Sequence, residues 1–261
     1  NGADTERRNP KAELKKVDAS LGDVLHQVGN TLKAVLESYR FQTFGEYSAL
    51  LSTLNIEAKQ IRGEYNGIPY TGIVYSATDD TGKVVSPPFK SSRFGKRFGN
   101  ELLEKRMLMN LKALKEGKWA PSIQADIARA LRQADSRKRF VELLGQKNIG
   151  VVFRENERGR IYGVTFIDHD RREVFNGSRM GKEFSANVFN DYFKWLENIP
   201  EKERGGHSAT ELRQHHRHES SSTLELAAGI LSMETNPRDY EEEAFARRMK
   251  KKKKTGRKRG I

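Results

Sequence analysis

The sequence predicts an α+β fold: two repeated helix–β-meander–helix modules sharing a core, followed by a polar linker and a basic helical tail. Three observations carry that expectation. Apolar residues recur first at helical spacing and then at strand spacing, and the order then starts again. Short motifs recur in the same order in both stretches. Beyond residue 199 the apolar periodicity gives way to polar and then strongly basic sequence. The expected boundaries are a polar lead-in over 1–21, module 1 over 22–120, module 2 over 121–199, a His-rich polar linker over 200–222, and short helices with a polybasic tail over 223–261.

In module 1, Val24, Leu25, Val28, Leu32, Val35, Leu36 and Tyr39 fall on one helical face. A second short helix is expected over Phe44 to Leu54. Strands follow at Glu57 to Glu64, Tyr70 to Ala77 and Lys83 to Ser86, separated by the turn signals Asn66-Gly67 and Asp79-Asp80-Thr81-Gly82. Phe98 to Lys115 reads as a helix ended by Gly117. In module 2, Ser122 to Leu144 reads as mainly helical, with Pro121 just before its start. Strands are expected at Ile149 to Arg154, Ile161 to Ile167 and Glu173 to Phe175, with a turn at Glu157-Arg158-Gly159. Ser185 is the expected N-cap of a helix from Ala186 to Leu196. Two short helical patches, Leu224 to Ser232 and Tyr240 to Met249, precede the tail.

The repeat rests on particular residues. Leu50-Leu51 precedes Asn55-Ile56 as Leu143-Leu144 precedes Asn148-Ile149. Tyr70 to Tyr75 matches Tyr162 to Phe166 with one residue deleted. Ser92-Arg93-Phe94-Gly95-Lys96-Arg97-Phe98 matches Ser178-Arg179-Met180-Gly181-Lys182-Glu183-Phe184 without a gap. This Ser-Arg-x-Gly-Lys turn stands between a strand and a helix in both copies. Its chemistry suits phosphate: a hydroxyl, a planar cationic fork, a glycine for close backbone approach and a point charge, all before a helix N-terminus. The same residues also serve ordinary turns, where Ser bonds backbone, Gly takes positive φ and the cations stay solvated. The anion-site residues expected here are Ser92, Arg93, Gly95, Lys96 and Arg97, and Ser178, Arg179, Gly181 and Lys182. Both arginines are expected to be exposed.

The 261-residue chain is 36% hydrophobic, enough for a core, and 32% charged. It has no cysteine, which excludes disulfides, thiolate nucleophiles and Cys-ligated zinc, and fits a cytoplasmic protein. No apolar run approaches the ~18 residues of a membrane span. Asn1 to Lys16 is too polar for a signal peptide, and without an initiator Met the chain reads as starting inside a longer protein. Net charge is +13, and ten cations lie in the last fifteen residues, which leaves +3 for the rest. These are Arg247, Arg248, Lys250, Lys251, Lys252, Lys253, Lys254, Arg257, Lys258 and Arg259. Such a polycation favours phosphate backbones through counterion release. Solubilisation, acidic lipid and protein partners are the alternatives.

Several motifs agree in order with one family. They are Phe44-Gly45-Glu46-Tyr47, Arg62-Gly63-Glu64, Gly72 to Ala77, Pro88 to Lys96, Gly163 to Asp168, Phe175 to Ser185, and Asp239-Tyr240-Glu241-Glu242 to Ala246-Arg247-Arg248-Met249 with its lysine run. Together these resemble the region downstream of the nicking domain in Bacteroidetes relaxases, the mobilisation proteins of conjugative transposons and plasmids. The resemblance covers about residues 24 to 261. It implies a DNA-binding, non-catalytic region acting in conjugative transfer. It implies single-stranded or transfer-origin DNA as partner, together with relaxosome accessory or coupling proteins. The family's nicking tyrosine and metal-binding histidine cluster belong to an N-terminal domain and are not identifiable here, so no catalytic residue, metal site or cofactor is assigned.

His215-His216-Arg217-His218 lies in the polar linker, with Arg217 where the family's histidine pair encloses an apolar residue. Asp168-His169-Asp170 suits a metal in composition but reads as a strand end at a turn. Tyr39, Tyr47 and Tyr162 read as packing residues. The competing functions are a protein-interaction module and a metal-dependent nuclease built on His169 or the His215 cluster.

Overall fold

Each sheet starts at an asparagine in the left-handed region. Asn55 and Asn148 have φ of 60° and 54°, a conformation that Asn tolerates and most residues avoid. Each turns the chain out of a helix and into a strand. Each carbonyl then accepts an N–H from beyond the second strand, Asn55 from Thr78 at 2.9 Å and Asn148 from His169 at 3.1 Å. The computed structural model describes residues 14–116 and 122–198. These belong to one compact unit, Asn1–Ala209; the other, Thr210–Ile261, lies outside the described residues.

The protein is a mixed α+β structure. Among the described residues there are seven α-helices and two three-stranded antiparallel sheets. The first half runs α1 (Val24–Ser38), α2 (Phe44–Ser52), β1 (Ile56–Tyr65), β2 (Ile68–Ala77), β3 (Phe89–Lys90) and α3 (Asn100–Lys115). The second runs α4 (Gln124–Gln133), α5 (Arg137–Gly145), β4 (Ile149–Glu155), β5 (Ile161–Asp168), β6 (Glu173–Asn176), α6 (Gly177–Met180) and α7 (Ala186–Asn198). Short 3-10 turns at Ser91–Arg93, Lys96–Phe98 and Lys182–Phe184 join sheet to helix. Both sheets are meanders, in the orders β1-β2-β3 and β4-β5-β6.

Local chemistry sets the boundaries. Thr43 caps α2 in a capping box with Glu46, and Ser136 caps α5 by accepting the Arg139 N–H. Asn66 and Gly67, both at positive φ, form the two-residue turn that joins β1 to β2. The expected helix from Ser122 to Leu144 is two helices, because the chain extends at Ala134 and Ser136 restarts it. The third strand of the first sheet is Phe89–Lys90, not Lys83 to Ser86. Pro87 and Pro88 cannot donate to a ladder, and pairing resumes only where Phe89 is buried. Residues 83–86 fold back instead, held by one bridge between Thr78 and Val84 and by the Asp79 carboxylate, which accepts N–H bonds from Thr81 and Lys83.

The expected single core is two clusters, because one face of each sheet packs on helices from its own half. The first gathers Leu32, Val35, Tyr39, Tyr47, Leu51, Ile56, Tyr75 and Phe98. The second gathers Ile127, Phe140, Leu144, Phe166, Phe175, Phe189 and Phe193. They meet at a seam where Ile167 and Val174 of the second sheet enter the first cluster. Segment 40–46 lies along the outer edge of β6 there. Arg40 N–H donates to the Arg172 carbonyl, and Val174 N–H donates to the Arg40 carbonyl, both at 2.9 Å. No helix among the described residues is long and apolar enough to cross a membrane.

Candidate nucleic-acid interface

The first Ser-Arg-x-Gly-Lys turn is open. Ser92, Arg93, Gly95, Lys96 and Arg97 are all exposed. Gly95 has φ 114° and ψ 163°, a region that only glycine enters readily. That bend lets Phe98 bury while the cations stay outside. Arg93 lies over the Phe89 ring, 5.6 Å from its centroid. Arg97 lies 4.9 Å from the Phe98 centroid and 3.5 Å from the Glu37 carboxylate. The turn delivers the chain to the N-terminus of α3, whose N-cap is Gly99 with no side-chain cap. The first N–H groups of this 16-residue helix therefore receive no side-chain cap from its N-cap residue, and the turn's cations immediately precede them in the chain. Asn100 sits there too; its Oδ1 accepts from Gln60 of β1 at 2.7 Å.

The second turn shares the backbone and not the surroundings. Gly181 has φ 150° and ψ 159°, and Phe184 is buried as Phe98 is. Ser178 and Lys182 are exposed. Arg179 corrects the expectation of an exposed guanidinium: its side chain is only 13% exposed and lies 3.6 Å from the Glu46 carboxylate, which is wholly buried. Glu46 also accepts backbone N–H bonds from Gln42 at 2.6 Å, Thr43 at 3.1 Å and Asn176 at 2.9 Å. Burial pushes the Glu46 carboxyl above its ordinary value, while Arg179 and the three N–H groups pull the other way. Beside this pair, Arg154 threads between α2 and β5. A Cβ at Gly45 would come 2.7 Å from its guanidinium, and one at Gly163 would come 2.5 Å from it. This cluster joins the two halves, and sequence reading missed it because Glu46 looks like an ordinary capping-box residue.

A second concentration of cations was not expected from the sequence. Arg137, Lys138, Arg158 and Lys194 line a cleft of about 490 Å³ at the N-terminus of α5, together with Asp135 and Glu197. Arg137 is tied to Glu155 and stacks 4.5 Å from the Phe153 centroid.

The tyrosines divide. Tyr39, Tyr47 and Tyr75 are buried, and the last two share a hydroxyl contact of 3.3 Å. Burial pushes the Tyr75 hydroxyl up to about 12. Tyr162 is 63% exposed, which corrects its reading as a packing residue; it sits on β5 between the core residues Ile161 and Val164, with the Arg154 guanidinium 5.7 Å from its ring centroid. Tyr39 has polar partners that sequence did not suggest, His169 Nδ1 at 2.8 Å and the Arg172 guanidinium at 3.0 Å. Asp168 ends β5 and accepts N–H bonds from Asp170 and Arg171, a local turn. Among the described residues no group of three or more His, Asp or Glu side chains is placed to hold a metal. The His215 to His218 cluster and the ten tail cations from Arg247 to Arg259 lie outside the described residues.

Comparison with protein-family models, with curated proteins and with solved structures finds no match.

Proposed function

We propose that this chain is a non-catalytic, DNA-binding region of a mobilisation protein acting in the cytoplasm, built from a duplicated α+β module. The observation that carries DNA binding is the open first turn, with Arg93 and Lys96 exposed beside the uncapped N-terminus of α3. Helix N-terminal N–H groups and exposed cations together make an anion site that recognises phosphate without reading bases. The cationic cleft at α5 and the polybasic tail add to the same electrostatic footprint. The mobilisation assignment rests on the ordered motifs from Phe44 to Met249.

Duplication is supported by paired details. Thr43 and Ser136 cap α2 and α5, each accepting the N–H three residues on. Asn55 and Asn148 share their left-handed turn. Tyr75 pairs with Phe89 as Phe166 pairs with Phe175. Arg106 of α3 donates to the Leu36 carbonyl near the end of α1, and Tyr192 of α7 donates to the Leu131 carbonyl near the end of α4.

The test is DNA affinity against salt. Ending the chain after Ala246 removes the ten tail cations and should flatten the slope strongly. In the full chain, Arg93→Ala with Lys96→Ala should lower the slope by about two. No salt-dependent DNA binding by the intact chain would overturn the reading, and an unchanged slope in the double variant would move the site away from the first turn.

A further inference from the structure

In a pleated pair, directly opposed residues share a face, and successive residues alternate. The core face of the first sheet carries Ile56, Ala58, Ile73, Tyr75, Ala77 and Phe89, all buried. Its other face is open from Lys59 outward. Lys59, Val74 and Lys90 form one row across the three strands. Ile61 opposes Gly72 in the next, and Gly63 opposes Tyr70 in the one beyond. Ile61 is 44% exposed, Tyr70 51% and Ile68 69%. The Tyr70 ring crosses β1 at Gly63, where a Cβ would come 2.7 Å from it. Only a missing side chain leaves the ring that seat.

The second sheet shows what a covered version of this face looks like. There the corresponding rows are Gly150, Ile167 and Val174, then Val152, Thr165 and Asn176, then Arg154 and Gly163. Ile167 and Val174 are buried in the first core cluster, Val152 packs against it, and Asn176 bonds Glu46 and Thr43. The open face has Lys59 where the covered one has Val152, and Lys90 where it has Asn176. Docking a second such helical corner would bury both ammonium groups against apolar surface at high cost. A polyanion carrying flat aromatic rings meets the opposite terms, since phosphates match the lysines and the faces of the bases match Tyr70, Ile61 and Ile68. Lys59 also contacts the Glu57 carboxylate at 2.8 Å, a partly exposed pair that a phosphate can replace at little cost. Lys90 leads directly into the turn at Ser91–Arg93, so the face and the open turn are continuous.

We propose that the open face of the first sheet is a base-stacking surface for single-stranded nucleic acid, with Tyr70 and Ile61 against bases and Lys59 and Lys90 against phosphates. The proposal rests on the DNA-binding reading and adds a strand preference and a second contact surface to it.

The experiment titrates the full chain with a fluorescent homothymidine oligonucleotide at several salt concentrations. Stacking is insensitive to salt, whereas the tail's contribution falls steeply with it, so the two separate. Tyr70→Ala should weaken binding about tenfold at every salt concentration and leave the slope unchanged, while Tyr70→Phe keeps wild-type affinity. Lys59→Ala with Lys90→Ala should reduce the slope instead. Circular dichroism should show both Tyr70 variants folded, since Tyr70 lies outside the core. Wild-type affinity in Tyr70→Ala overturns the stacking surface even if the first-turn variants lose affinity, in which case the DNA-binding reading stands alone. An equal loss on duplex DNA, or a loss of self-association in sedimentation with oligonucleotide affinity intact, also overturns it. If the wild-type chain binds no oligonucleotide, both readings fall together.

Discussion

The two Ser-Arg-x-Gly-Lys turns have the same backbone and opposite fates. Gly95 and Gly181 bend the chain alike, and each is followed by a buried phenylalanine. Yet Arg93 stands in solvent beside a bare helix end, while Arg179 is the counter-charge of a fully buried carboxylate. The difference comes from outside the turn. Helix α2 of the first half reaches the second turn with Glu46, and the corresponding position of α5 is Arg139, a cation that could not play the same part. The motif is therefore first a way of folding a strand into a helix. Its arginine is available for whatever the neighbouring surface requires.

Stability measurements should expose that contrast most sharply. Arg179→Ala leaves Glu46 buried without its cation and should cost about 3–5 kcal/mol in chemical denaturation. Arg93→Ala should stay within about 0.5 kcal/mol of wild type, as exposed substitutions do. Equal costs would break the comparison. The shared backbone gives an intermediate effect: Gly95→Ala and Gly181→Ala should each cost about 1–3 kcal/mol from backbone strain, and at Gly181 the new Cβ must also displace the Glu183 carboxylate, whereas at Gly95 it meets nothing. In binding the contrast reverses. Lys96→Ala should lower the DNA salt slope by about one. Lys182→Ala should lower it less, since its turn has Glu183 where the first has Arg97.

The smallest effect concerns pH. Burial first, and Arg172 second, hold His169 below its ordinary value of 6.5, and the first half has Thr78 at the matching place. Just below pH 6.5 the unfolded chain binds the proton and the folded chain does not. Stability contributed by His169 is therefore present above that pH and is lost as pH falls through the folded value. Buried Glu46 and Glu173, both raised by burial, act in the other direction. The difference in Tm between wild type and His169→Asn across this range isolates the histidine; a pH-independent difference would remove it as a titrating group.

Much of the fold was legible because it is local. The apolar stripe of α1, the Asn66-Gly67 turn and the strands around them follow from periodicity and turn chemistry. The recurrence of Asn55-Ile56 at Asn148-Ile149 was legible as a repeat, but the left-handed turn that each asparagine makes appears only in the backbone. The misplaced third strand arose from reading Val84 and Val85 as a ladder, although two prolines separate them from the residues that pair. The site was less legible. Exposure of Arg93 and the largely covered side chain of Arg179 are contrasting outcomes of one motif, decided by a residue more than a hundred positions away. The Tyr70 platform needs the pairing register to put Lys59 and Lys90 in one row, and no periodicity carries that.

The Glu46 cluster also joins segments that are far apart in the chain. Its carboxylate sits at the start of α2, but the Asn176 N–H that helps hold it lies 130 residues further along the chain. A chain ending before β6 would hold the helices and sheet of the first half but would lack the Asn176 and Arg179 partners of Glu46, and Val174 of the first cluster. Docking of the second sheet closes contacts of long sequence separation, the kind that loop-closure entropy makes slow. In such a truncated chain the Glu46 carboxylate should be open to water, whereas in the whole chain it is wholly buried.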